Sequence, residues 1–145
     1  MGKTFLNLHQ NVYDLHKLGE ISHLFYEDSL LQLSNGGSNP ETLRVLGGLC
    51  MHVESIGEAL GVRVIRAVHQ ATWRKHFIGR GTSRSKYKKF DLKAMSRERC
   101  EQFGFKTKND DEADAIGVLD YACDYQGIIP PWRRDEVFRP ELVSG

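Results

Sequence analysis

Two short runs of strand-forming residues lie on either side of a long helical pattern, and this arrangement constrains the fold more than any other feature. The runs are "SHLFYE" (22–27) and "VRVIRAVH" (62–69). Between them, apolar residues recur at spacings of three and four from Leu43 to Leu60, which predicts one helix ending at Gly61. Strands joined by a helical connection run parallel in the same sheet. The sequence therefore predicts an α/β fold.

Polar and glycine-rich segments mark the ends of the other predicted elements. An amphipathic helix, "FLNLHQNVYDLHKLG", is closed by Gly19. The loop "LSNGGSNPET" ends with Asn39 as the N-cap of the long helix and Pro40 at its first position. "GRGTSRS" is predicted as a basic loop, and Asp91 is predicted to cap a helix that runs towards Phe103 and Gly104.

The last predicted helix begins near Glu112. Its buried face is predicted to consist of Ala115, Ile116, Leu119, Ala122 and Cys123. Two strands are too few for a complete parallel sheet, so either another chain completes it or this chain is a piece of a larger fold. We divide the sequence into one domain, residues 1–126, and an irregular tail, residues 127–145.

The charge of the chain is strongly polarised. Between Arg74 and Arg99 there are five lysines and five arginines against Asp91 and Glu98, a local balance of +8 in a chain of net charge +1. Such a basic segment favours a surface for a polyanion, although many charge runs are only solvated faces.

Cysteine usage and hydropathy narrow the class of protein. The three cysteines form no Cys-x-x-Cys pair, which argues against both a disulfide framework and a zinc site. The N-terminus has no signal-peptide pattern, and no apolar stretch approaches the roughly 18 residues of a membrane span. We expect a cytoplasmic protein without membrane contact.

Acidic residues crowd the start of the last helix, in "NDDEADAIGVLDYA" (109–122). Asp111 and Asp114 are three residues apart and project from nearly the same face of a helix. They can act simply as charges that complement the helix dipole. Alternatively, Glu27 at the carboxyl end of the first strand joins them, since ligand sites gather at such strand ends. Three carboxylates together would bind Mg²⁺ and suit a nuclease-like site.

Four segments resemble the RuvC-type Holliday junction resolvases, especially their phage and prophage branch. They are "HLFYED", "NGGSNPETLRVLGGLCMHVESIGEALGV", "ATWRKHFIGRGT" and "LKAMSRERCEQFGFKTKNDDEADAIGVLDYA". Together the match covers roughly residues 2–125, and its most specific piece is "DDEADAIGVLDYA". The resemblance implies a ribonuclease-H-like fold and a dimeric, Mg²⁺-dependent endonuclease that acts on four-way DNA junctions, with Mn²⁺ able to substitute.

The resemblance also implies roles for particular residues. Glu27 takes the place of the acid at the end of the fourth strand, and Asp111 and Asp114 take the places of the acid pair on the last helix. Lys93 falls where the family carries a lysine near the scissile phosphate. Lys86 is a second candidate for that lysine.

One family feature is missing from the sequence. The family begins with a three-stranded meander whose first strand carries a further catalytic aspartate, and this chain begins after it. We therefore interpret the fold as truncated at the N-terminus, and a non-catalytic DNA-binding or oligomerising remnant is the alternative to an active nuclease. An open strand edge would also favour a homodimer or another homo-oligomer.

The basic segment supplies the candidate DNA contacts. We predict that phosphates are bound by loop cations, namely Arg74, Lys75, Arg80, Arg84 and Lys86. The Trp73 ring, interpreted as part of a basic loop, can either stack on a base or pack the loop onto the sheet.

Overall fold

The structure, a computed structural model, describes residues 1–29 and 39–134. Most of the predicted loop "LSNGGSNPET" and the end of the predicted tail lie outside the described residues. The described part is mixed α/β, and it divides into two compact units, the first ending at His69 and the second beginning at Gln70. Its elements are α1 (Gly2–Leu18), β1 (His23–Glu27), α2 (Pro40–Ala59), β2 (Val64–Val68), α3 (Gln70–Ile78), α4 (Leu92–Gln102), α5 (Asp110–Tyr125) and α6 (Pro131–Arg134).

The first unit is built on the predicted strand, helix and strand. β1 and β2 pair in parallel, from His23 opposite Val64 to Glu27 opposite Val68, and within the described residues they form a sheet of two strands. The prediction of parallel strands is thus confirmed. α2 packs on the sheet through Gly57, where an added Cβ would lie 2.7 Å from Cδ1 of Ile65 in β2 and 3.1 Å from Cδ1 of Leu24 in β1. The missing side chain lets the helix backbone approach the sheet closely.

Predicted capping residues set the boundaries of several helices. The Asn39 side chain accepts a hydrogen bond from the backbone N–H of Glu41 (2.9 Å), and Pro40 follows as the first helical residue. Asp91 accepts one from the N–H of Ala94 (3.0 Å) at the start of α4. Gly19 ends α1 as predicted.

The second unit is a cluster of helices in which α3, α4 and α5 pack on one another. Its interior contains the Trp73 and Phe77 side chains of α3, together with Cys100 of α4. The Trp73 ring lies directly against α5, since a Cβ on Gly117 would come within 2.5 Å of its Cζ3. The helix α3 was not predicted from the sequence, which indicated a loop there.

The predicted buried face of the last helix was wrong at two positions. Ala115 is exposed, and 48% of the Leu119 surface is exposed, whereas Ala113 and Asp120 are buried. The helix is rotated because Asp120 points inward and is held there by several hydrogen-bond donors. The start of α5 at Asp110 lies two residues before the predicted position.

Candidate nucleic-acid interface

The acids at the mouth of α5 divide into those that cap the helix and those that do not. The Asn109 side chain accepts a hydrogen bond from the N–H of Glu112 (2.9 Å), and the Glu112 carboxylate accepts one from the N–H of Lys108 (2.6 Å). This reciprocal arrangement resembles a capping box and satisfies donors at the helix start. Capping therefore accounts for Asn109 and Glu112, and it leaves Asp111 and Asp114 without a capping role.

Asp114 is a partly buried carboxylate with one cationic partner. Its Oδ2 accepts a hydrogen bond from Nη2 of Arg74 at 3.2 Å. Its Oδ1 is buried and has no hydrogen-bond partner among the described residues. Burial raises the pKa of Asp114 even though the Arg74 guanidinium opposes the shift. Perturbed acids of this kind occur both at functional sites and in structural ion pairs, so the surroundings of Asp114 decide between the two.

The two acids next to Asp114 in the first turn differ from it. Asp111 is exposed, and a spacing of three residues places it on nearly the same helix face as Asp114. Asp110 is hydrogen-bonded by Arg97 and lies 3.4 Å from Nζ of Lys93. Partial desolvation tends to raise the pKa of Asp110, but these two cations hold it below its ordinary value.

We call Asp110, Asp111 and Asp114 the carboxylate cluster. A basic pocket lies beside it. It has a volume of about 840 Å³, and its lining includes Gln70, Arg74, Thr82, Lys89, Asp91 and Lys93. The Asp91 carboxylate already accepts a hydrogen bond as the cap of α4. Because three of the lining side chains are cations, the pocket suits an anion such as a phosphate.

Arg74 connects the pocket to the acids. Only 7% of its surface is exposed, and it both lines the pocket and donates to Asp114. Its Nε is buried and has no hydrogen-bond partner among the described residues. A guanidinium can donate in two directions through its planar fork, so the part of Arg74 that lines the pocket can donate to an anion there while Nη2 stays bonded to Asp114.

The basic loop between α3 and α4 is folded back on itself. Arg84 and Lys89 form an isolated antiparallel bridge, and the N–H of Phe90 donates to the carbonyl of Ser83 at 2.6 Å. At the base of this loop the Arg80 guanidinium stacks on the Phe90 ring, 3.5 Å from its centroid. These contacts give an exposed cationic segment a defined shape.

The five predicted phosphate contacts differ in exposure, and Arg80 among them is half-buried with its guanidinium on the Phe90 ring. Lys75, Arg84 and Lys86 are exposed and remain candidates for phosphate contacts. Arg74 is buried against Asp114, so its accessible route to a phosphate is the basic pocket.

The burial of Trp73 contradicts the prediction that its ring stacks on a DNA base. Its side chain has 0% of its surface exposed and lies in the interior of the second unit, on a helix and not a loop. In this conformation the ring has no face for a base, because Gly117 and Phe77 pack against it. The alternative, a packing role, agrees with this burial, although the ring packs on helix α5.

Glu27 belongs to the first unit. It is the last residue of β1, at the carboxyl end of the parallel pair, where the sequence predicted it. It also lines a small, mostly apolar cavity of about 180 Å³, together with Tyr26, Ser29 and Cys50. Within either unit, the described residues contain no group of three His, Cys, Asp or Glu side chains placed to hold a metal.

A buried network in the second unit anchors the start of the predicted tail, which is helical at Pro131–Arg134 and not irregular there. Asp120, 1% exposed, accepts hydrogen bonds from Nε1 of Trp132 (2.8 Å) and from Nε and Nη2 of Arg133 (2.7 and 2.6 Å). His76 Nε2 lies 2.9 Å from the same carboxylate. Trp132, which lies in the sequence between two prolines and a basic pair, was the signal for an anchored segment, whereas its partner Asp120 was not predicted. The network fixes α6 against α5.

No family model, curated protein or solved structure matches the chain. None of the described helices is both long enough and apolar enough to cross a membrane.

Proposed function

We propose that the chain is a RuvC-like, Mg²⁺-dependent endonuclease with a ribonuclease-H-like fold that acts on four-way DNA junctions. The observation that carries this proposal is the position of Arg74, which joins a carboxylate with an unpartnered buried oxygen to a basic pocket. A site that cuts a phosphodiester with the help of Mg²⁺ needs ligands for the ion and side chains that bind the phosphate. The order of β1, α2, β2 and α5, with Glu27 ending β1 and Asp111 and Asp114 in the first turns of α5, gives further support, although the acid of the family's first strand has no counterpart.

The residues of the carboxylate cluster suit Mg²⁺ in chemical type. Mg²⁺ binds through one or two carboxylates, keeps several waters and takes further oxygens from substrate phosphates. Asp111 and Asp114 would provide carboxylates from α5, and the unpartnered Oδ1 of Asp114 is an acceptor ready for a cation. Glu27 is the third acid that the family resemblance implies. When bound, the ion supplies Lewis-acid polarisation of the phosphodiester.

The remaining side chains would position the DNA. Arg74 and Lys89 would hold a backbone phosphate in the basic pocket, while exposed cations of the loop bind neighbouring phosphates. Lys93 lines the same pocket and would stabilise the negative charge that develops at the reacting phosphate. As in the family it resembles, the chain would work as a homodimer or another homo-oligomer.

A second function, DNA binding without cleavage, is favoured by a specific observation. Two of the acids at the start of α5 already have cationic partners within the protein, since Arg74 pairs with Asp114 and Arg97 pairs with Asp110. A cluster neutralised in this way stays folded without a metal ion. Such a protein would bind branched DNA and protect it from other enzymes.

Incubation of the protein with a labelled four-way junction separates the two functions. We expect a retarded band in EDTA and symmetric nicks once Mg²⁺ or Mn²⁺ is added, with a linear duplex of the same sequence as the control. The Asp114→Asn variant should bind the junction and leave it uncut. A junction that is bound but uncut by the wild-type protein would support the second function, and a junction that is not bound would contradict both.

A further inference from the structure

We propose that Tyr87 stacks on an unpaired DNA base while the cations around it bind the adjacent phosphates. The inference deepens the proposed function, on whose DNA-binding step it rests, by naming the structural class of DNA that the loop recognises. It concerns a residue outside the carboxylate cluster and the basic pocket.

The first observation is the exposure of Tyr87. The solvent reaches 87% of its surface, more than for any other aromatic side chain among the described residues. Single exposed apolar residues are common on protein surfaces, so exposure alone indicates no function. The surroundings of this ring are what distinguish it.

The second observation is the charge around the ring. Residues 84–89, "RSKYKK", contain four cations and no acid, and Nζ of Lys86 lies 5.3 Å from the centroid of the Tyr87 ring. Proteins that bind single-stranded nucleic acid combine cations that follow the backbone with aromatic rings on which bases stack. The loop offers both within one short segment.

The third observation is that hydrogen bonds order the backbone of the loop around Tyr87. The Ser85 hydroxyl oxygen accepts hydrogen bonds from the N–H groups of Tyr87 (3.4 Å) and Lys88 (3.1 Å). The N–H of Ser85 donates to the carbonyl of Lys88 at 2.9 Å, which closes a turn with Tyr87 near its tip. An ordered loop loses less conformational entropy on binding than a disordered one.

These features select unpaired DNA over intact duplex. Inside a duplex both faces of each base are covered by neighbouring base pairs, so a single ring at a loop tip has nothing to stack on. Single strands and branch points expose base faces. An acidic peptide would also be attracted by the charge, but it would gain little from a protruding aromatic ring.

Fluorescence anisotropy in EDTA tests the inference apart from cleavage. The probes are an oligo(dT) strand and a blunt duplex of mixed sequence, and the proteins are the wild-type chain, Tyr87→Ala, Tyr87→Phe and the control Tyr13→Ala on α1. We expect Tyr87→Ala to weaken oligo(dT) binding about 5- to 100-fold, with duplex binding and the salt dependence unchanged. Tyr87→Phe and Tyr13→Ala should bind like the wild-type protein.

Lysine variants provide the matched comparison. Lys86→Gln and Lys88→Gln should each lower the slope of log affinity against log salt by about 0.7 on a single strand, because each removes one phosphate contact. Equal oligo(dT) binding by Tyr87→Ala and the wild-type chain would overturn the inference, as would equal losses on oligo(dT) and duplex. A wild-type chain that depends on Tyr87 for oligo(dT) yet cuts no junction in Mg²⁺ would support the inference and contradict only the nuclease proposal.

Discussion

The indole ring of Trp73 rests directly on the backbone of α5 at Gly117, where a Cβ would lie 2.5 Å from Cζ3 of the ring. The same hypothetical Cβ on Gly117 would lie 3.1 Å from Cδ1 of Phe77. Both rings are almost completely buried, so neither can move aside without disturbing the interior of the second unit.

Gly117→Ala should therefore destabilise the protein by about 1–3 kcal/mol, through overpacking of a site without spare volume. The measurement is urea denaturation of the full chain. Ala115→Ser, at an exposed position of the same helix, is the control and should change stability by less than about 0.5 kcal/mol. Equal stability of Gly117→Ala and the wild-type chain would mean that the two helices are farther apart than described.

Asp120→Asn should cost about 2–4 kcal/mol, because it removes the charge that compensates Arg133 inside the protein. The estimate lies below the full cost of breaking a buried pair because the Arg133 side chain is partly exposed. Asp124→Asn is the matched control, since that carboxylate is mostly exposed and lies 3.7 Å from His76 Nδ1. Thermal unfolding of both variants checks the prediction, and similar losses for both would contradict it.

The contribution of Asp120 should also depend on pH. Burial alone would raise the pKa of Asp120, but hydrogen bonds from Arg133 and Trp132 hold it below the ordinary value of 3.8. The unfolded chain then binds more protons, so the stabilisation is complete above pH 3.8 and is lost as the pH falls through the lower folded-state pKa. The stability difference between wild type and Asp120→Asn should shrink on acidification, and a constant difference would refute the assignment.

Lys93 should matter for cleavage more than Lys86, which distinguishes the two candidates for a lysine near the reacting phosphate. Lys93 lines the basic pocket and lies 3.4 Å from Asp110, whereas Lys86 stands beside the exposed ring of Tyr87. Lys93→Ala should lower the rate of junction cleavage about 10²-fold at saturating protein. Lys86→Ala should weaken binding and leave that rate unchanged. The reverse pattern would exchange the two roles.

The parallel strand pair and most helix boundaries could be predicted because local chemistry determines them. Asn39 and Asp91 accept hydrogen bonds from N–H groups two or three residues ahead, so the sequence contains both partners of each contact within one turn. Gly19 closes α1 in the same local way. Such signals need no knowledge of the rest of the fold.

The helix α3 and the inward position of Asp120 could not be predicted, because distant partners determine them. α3 contains several cations and a tryptophan. Its buried side can be recognised only because the structure shows the Trp73 ring packed against Gly117 of α5. In the sequence Asp120 resembles a surface residue, because the partner that makes its burial possible, Arg133, lies thirteen positions later and donates to it only in the folded chain. Of the candidate site, the positions of Asp111 and Asp114 on one helix face were predictable, but the Arg74 contact with Asp114 was not.

The turn closed by Ser85 also has a consequence for how such a protein diverges. All side chains of residues 84–89 are exposed, so replacing them removes nothing from the interior of the second unit. Selection can reshape this segment for a new DNA substrate while the helices keep their packing. Among descendants of this chain, insertions and deletions should therefore accumulate between α3 and α4 long before either helix tolerates one.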